Sequence, residues 1–143
     1  MRIALSLAVA IVLLACGRSE TSAPEASTPP VSAPAPARVS AIDLGSAIGA
    51  DERVTATAEA FAPGDTIYAS IATEGSSPSL TLTARWTYED GQLVSESSET
   101  IAPTGPATTE FHITKPDGFP AGRYTLEISA NGAVAGARDF EVR

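Results

Sequence analysis

Alternation of apolar and polar positions, with a period of two, runs through most of residues 67–142. Ile67, Ala69, Ile71 and Thr73 alternate with Tyr68, Ser70 and Ala72, and Leu80, Leu82, Ala84, Trp86 and Tyr88 alternate with Thr81, Thr83, Arg85 and Thr87. The same period returns in Thr109, Phe111 and Ile113, in Tyr124, Leu126 and Ile128, and in Val134, Phe140 and Val142. Successive side chains of a strand point to opposite faces, so each run predicts a strand with one buried face. Residues 54–61 extend the pattern weakly, mostly on alanines, and no stretch holds a helical period. Gly, Pro, Asn and Asp clusters punctuate the runs, at Pro63-Gly64-Asp65, Gly75 to Pro78, Glu89-Asp90-Gly91, Pro103 to Pro106, Pro116-Asp117-Gly118 and Asn131-Gly132. Strands at this spacing in about 100 residues predict an all-β domain over 39–143, an antiparallel sandwich of about seven to eight strands.

The last hairpin raises a question of register. A two-residue turn at Asn131-Gly132 with regular pairing puts Val134 and Phe140 on the face opposite Tyr124, Leu126 and Ile128. A three-residue loop, 130–132, instead pairs Ile128 with Val134, Gly122 with Phe140 and Ser129 with Ala133, and brings all the apolar residues to one face. The pattern favours the longer loop.

The first residues follow a different pattern. Arg2 precedes thirteen residues, 3–15, whose only polar member is Ser6, and Cys16 follows as the sole cysteine. Thirteen apolar residues fall short of the roughly 20 that span a bilayer as a helix. A core helix apolar on every side needs more protein around it than this chain supplies. A cleaved signal peptide over 1–15 accounts for the run. From 17 to 38 the chain is mostly Ser, Thr, Ala and Pro, with Val31 its only large apolar residue. Such a segment has nothing to bury and reads as a tether, on the order of 25 Å as a coil and about 65 Å when extended. The division is therefore signal peptide 1–15, Cys16 with its linker 16–38, and folded domain 39–143.

Leu13-Leu14-Ala15-Cys16 resembles the lipobox of bacterial lipoproteins, with an aliphatic residue three before the cysteine and a small one just before it. The resemblance implies diacylglyceryl transfer to the Cys16 thiol, cleavage before it, and acylation of the new amine. Ordinary signal-peptidase cleavage is the alternative. Two or three acyl chains hold a protein firmly where one binds marginally. Gly17 stands where the enterobacterial inner-membrane retention signal has aspartate, so the resemblance implies a membrane partner through the acyl anchor and an outer-membrane location facing the periplasm.

A second resemblance lies in the domain. Trp86 on a central strand, and the run Pro120-Ala121-Gly122-Arg123-Tyr124-Thr125-Leu126, are similar to the core tryptophan and tyrosine corner of immunoglobulin-like modules. Pro120 stands for the usual aspartate and Leu126 for the usual cysteine, so the chain is similar to cysteine-free immunoglobulin or fibronectin type III-like modules. Fold resemblance of this kind implies no specific activity.

Charge and residue inventory narrow the function. The formal net charge is −8, and 39–143 carries 15 acidic and six basic residues, a field that repels phosphate backbones and argues against a nucleic-acid partner. Once Cys16 is acylated, a single histidine, His112, remains as a soft ligand, too few for a transition-metal centre; no cofactor or metal is expected. His112, between Phe111 and Ile113, falls on a polar face as a surface residue rather than a base, and Glu89-Asp90 before Gly91 reads as a turn rather than an acid–base pair. The chain is thus expected not to be an enzyme. The candidate contact loop is Lys115, Asp117 and Phe119 in Lys115-Pro116-Asp117-Gly118-Phe119-Pro120, where Phe119 either meets a protein or glycan partner or plugs the end of the sandwich. A non-catalytic binding or assembly module fits best; an accessory subunit or inhibitor of an envelope enzyme, and a carboxylate-based hydrolase, are the alternatives.

Overall fold

The computed structural model describes residues 33–143. The signal peptide, Leu13, Leu14, Ala15 and Cys16 of the lipobox, and the linker up to residue 32 lie outside the described residues. Eight strands follow: β1 (Arg38–Gly45), β2 (Ala60–Phe61), β3 (Ile67–Glu74), β4 (Leu80–Tyr88), β5 (Gln92–Ile101), β6 (Ala107–Ile113), β7 (Gly122–Ala130) and β8 (Ala133–Val142). They form a three-stranded sheet in the order β1-β3-β6 and a five-stranded sheet in the order β2-β8-β7-β4-β5. All pairings are antiparallel except the two-residue contact of β2 with β8.

Alternation explains the core. Ile67, Ala69, Ile71 and Thr73 of β3, Leu80, Leu82, Ala84 and Trp86 of β4, and Tyr124, Leu126 and Ile128 of β7 are all buried, as one face of each strand requires. Trp86 meets the Phe140 ring edge-on, with centroids 5.9 Å apart, and its indole N–H is buried without an acceptor among the described residues. Along the β1–β8 side, Arg138 Nε donates to the Ile42 carbonyl at 2.9 Å and ties the two sheets together. Eight strands in two packed sheets, with the tryptophan on β4 and the tyrosine on β7, make an immunoglobulin-like sandwich.

One connection departs from the constant-type immunoglobulin pattern, in which the strand after the tryptophan strand returns to the first sheet. Here β5 pairs with β4 in the second sheet over its full length, and no strand lies outside β6. Both β5 and β6 are therefore edge strands on the same side of the sandwich.

Three expectations are corrected. The last hairpin closes through the two-residue turn Asn131-Gly132, with Ala130 opposite Ala133 and Ser129 opposite Val134. Both turn residues have positive φ, 49° and 83°, the geometry that matches strand twist. The register is restored by a bulge between Ile128 and Ser129 that leaves Ala135 unpaired, so Phe140 faces Tyr124 in the core while Val134 stays 65% exposed. The strand expected at 54–61 contracts to β2; the rest makes isolated bridges, Ile48 with Val54 and Gly45 with Thr57, over the outer side of β3, where Val54 N–H meets Ser70 Oγ at 3.4 Å. The folded part also begins before residue 39: Ser76 exchanges hydrogen bonds with Ala35 and Ala37, and Arg38 opens β1.

Candidate functional site

Two depressions mark the end of the sandwich where β4 finishes and β7 begins. The first is a groove of about 540 Å³ between the start of β5 and the 114–120 loop, bordered by Leu93, Val94, His112, Lys115, Phe119 and Tyr124 among others. Its floor is rigid. Tyr124 donates its hydroxyl proton to the Pro120 carbonyl at 2.7 Å, closing the tyrosine corner, and the Tyr88 hydroxyl donates to the Ala121 carbonyl at 3.1 Å. The two rings lie 4.8 Å apart, and Phe119 meets Tyr124 edge-on at 6.1 Å. Burial first, and then the neighbouring Tyr88 and Glu89, push the Tyr124 phenol above its usual pKa.

Gly122 makes the corner possible. Its φ is 149°, and a Cβ there would collide with the Glu89 carboxylate and the Tyr88 ring. Glu89, itself at positive φ, accepts the Arg123 backbone N–H at 3.2 Å, which holds the β4–β5 turn against β7.

The expected contact loop is split by the structure. Residues 115–118 form a turn closed by the Gly118 N–H on the Lys115 carbonyl at 2.9 Å, with Pro116 in its favoured second position. Lys115 and Asp117 are exposed on it. Phe119, the expected contact aromatic, is only 3% exposed: its N–H donates to the Pro63 carbonyl at 2.7 Å and its ring caps the core. Of the two roles that the sequence left open to it, partner contact or plug, its burial matches the plug. His112 is exposed, bonds Glu110 at 2.7 Å and rests 5.5 Å from the Tyr68 ring.

The apolar surface of the groove comes from residues that the sequence pattern did not single out. Leu93 and Val94 on β5 are 53% and 37% exposed and, with Val134, are the large hydrophobic residues exposed among the described residues. Val94 is the unpaired residue of a bulge, between Leu93 opposite Thr87 and Ser95 opposite Trp86. Two adjacent aliphatic residues after a Glu-Asp-Gly turn were the available signal.

The second depression, about 690 Å³, is acidic, with Glu59, Glu89, Asp90, Asp139 and Glu141 around Arg123. All five carboxylates are exposed, and three are already engaged: Glu89 with the Arg123 backbone N–H, Asp139 with the Thr125 hydroxyl at 2.7 Å, and Glu141 with Arg143 at 3.9 Å. Among the described residues no group of three or more His, Cys, Asp or Glu is placed to hold a metal ion. On the outer face of β4 and β5, Thr81 bonds Thr100 at 2.9 Å and Thr83 bonds Ser98 at 2.8 Å, so these hydroxyls satisfy one another.

No family model matches the chain, and no curated protein is significantly similar to it. Solved structures are similar in fold. An alkylpurine DNA glycosylase from Pseudomonas fluorescens, bound to DNA containing an abasic site analogue, superposes with a TM-score of 0.50 at 17% identity over 75% of this chain and 30% of its own. A β-glucosidase from Listeria innocua, in complex with gluconolactone, gives 0.50 at 9% identity over 75% of this chain and 16% of its own. An immunoglobulin-like protein from Pseudomonas aeruginosa gives 0.49 at 16% identity, over 76% of this chain and 98% of its own. The chain thus spans under a third of the glycosylase and about a sixth of the glucosidase.

Proposed function

We propose that this protein is a bacterial lipoprotein, anchored through Cys16 in the outer membrane and facing the periplasm, whose immunoglobulin-like module is a non-catalytic binding or assembly element. The observation that carries the binding role is the position of the groove. The chain comes into the sandwich at the Arg38–Glu74 end, and the groove opens at the other end of the strands. Eight residues of β1 separate the two by about 26 Å. Leu93 and Val94 thus lie at the end of the module opposite the point where the chain enters it.

Neither neighbour's chemistry carries over. The DNA of the glycosylase complex belongs to that protein, and a chain at −8 has the wrong field for phosphates. The exposed, partly engaged carboxylates of the acidic depression lack the secluded pair that a hydrolase working on carboxylates alone needs. An accessory or inhibitory role on an envelope enzyme would use the same groove.

Fractionation of the wild type and Cys16→Ser tests the anchor. Wild-type protein is expected in the outer-membrane fraction with an acylated N-terminus, and the variant either uncleaved in the inner membrane or released. Wild-type protein that is soluble in the periplasm with an unmodified thiol overturns the lipoprotein reading.

A further inference from the structure

We propose that the groove takes an extended segment of a protein partner that carries an apolar side chain beside a carboxylate. This deepens the binding role above and rests on it. Three observations select that occupant over a sugar or a basic chain.

Charge is the first. The folded domain has 15 acidic residues against six basic, yet none of the residues bordering the groove is a carboxylate. Two of them are Lys115 and His112, the only lysine and the only histidine in the protein. Lys115 makes no ion pair among the described residues. His112 already has Glu110 as its partner, so Lys115 is the group left to meet an incoming carboxylate. Along β5 the sign reverses at Glu96 and Glu99, so the rest of the segment is neutral or basic.

The second is the kind of apolar surface. Sugar recognition rests on open aromatic faces, but Tyr124 is 1% exposed and Phe119 3%, and the third ring at the groove, Tyr88, is half-buried, packed against Tyr124, with its hydroxyl committed to the Ala121 carbonyl. What the groove offers is aliphatic, Leu93 and Val94, which suits a peptide side chain. The third is the backbone. β5 and β6 are both sheet edges, and β5 runs ten residues with one row of main-chain donors and acceptors outside the ladder. An added strand uses those groups for affinity and the groove for specificity.

The test uses the full-length, detergent-purified lipoprotein and capped synthetic heptapeptides, followed by amide chemical shifts. One peptide has a Val-Phe-Val centre beside aspartate; a second has lysine in place of the aspartate; a third has serines in place of the centre. The first is expected to shift Leu93, Val94, Thr114 and Lys115 saturably and to bind at least tenfold more tightly than the other two. Lys115→Glu should exchange the order of the aspartate and lysine peptides, an outcome that an unfolded variant does not produce. The double substitution Leu93→Ser and Val94→Ser should weaken the first peptide at least tenfold. Shifts centred on the acidic depression, an unchanged order in Lys115→Glu, or no shift with any peptide overturn the proposal. A chito-oligosaccharide that shifts the groove residues when the peptides do not also overturns it, while leaving the binding role standing. Cys16→Ser fractionation decides the anchor independently of all these outcomes.

Discussion

At the scale of single residues, Tyr124 joins the core to the groove end of the sandwich. The ring is core, stacked 5.2 Å from Phe140, and the hydroxyl fastens the Pro120 carbonyl behind the contact loop. Tyr124→Phe keeps the ring and loses the bond, so it should cost about 1 kcal/mol in urea melts at pH 7. The pH dependence follows from the raised phenol pKa. Because the folded value lies above the unfolded one, the neutral phenol's contribution is complete below about pH 10 and is lost as the pH rises through the folded value. Stability of the wild type should therefore fall more steeply above pH 10 than that of Tyr124→Phe, and equal slopes would contradict burial as the cause. This corner was legible in Pro120 to Leu126 despite the missing aspartate, because the bond needs only a backbone carbonyl four residues back. Phe119 was not legible in the same way: a loop aromatic reads alike as a plug or a contact, and only the path set by Pro63 decides.

At the scale of elements, the strands that announce themselves are those with one wet and one dry face. β4, β6 and β7 alternate cleanly and lie where the pattern put them, and β3 does so apart from Ser70, buried on its outer side beneath Val54. β5 carries Ser95, Glu96, Ser97, Ser98 and Glu99 in succession, since as an outer edge it is wet on both faces and gives no period. β1 is masked differently, by a register shift at Ser40 that breaks its alternation. The groove was missed for the same reason as β5, on which its apolar wall sits. In β8 the hydrophobic pattern demanded that Phe140 and Val142 share the face of Tyr124, and the chain met that demand with a bulge after Val134 instead of a longer loop, leaving Val134 outside. Substitution separates these registers. Val134→Asp should change stability by less than about 0.5 kcal/mol. Phe140→Ala, which opens space beside Trp86, Phe61 and Tyr124, should cost about 3–5 kcal/mol. Comparable losses at the two positions in denaturant melts would put Val134 in the core and restore the three-residue loop.

At the scale of the whole molecule, the question is where the tether stops and the domain starts. Composition places the boundary at Val39, because 17–38 lacks anything to bury. Hydrogen bonding places it earlier: Ala35, Pro36 and Ala37 lie along the 75–76 turn, and Ala37 packs on the core. Gly75, at φ 88°, lets that turn approach the Ala35 and Pro36 carbonyls, where a side chain would strike them. Residues 35–37 are thus held at the end of the sandwich farthest from the groove. A chain of residues 33–143 should unfold cooperatively. A chain of residues 39–143 should also fold, but lose about 1–3 kcal/mol from the two backbone hydrogen bonds and the Ala37 contact. The Arg38–Glu74 pair, exposed on both sides, should add little to that difference. Amide exchange locates the effect: Ser76 should lose protection in the shorter chain while Tyr124 keeps it. Identical stability of the two chains would return the boundary to Val39 and make 33–38 part of the tether.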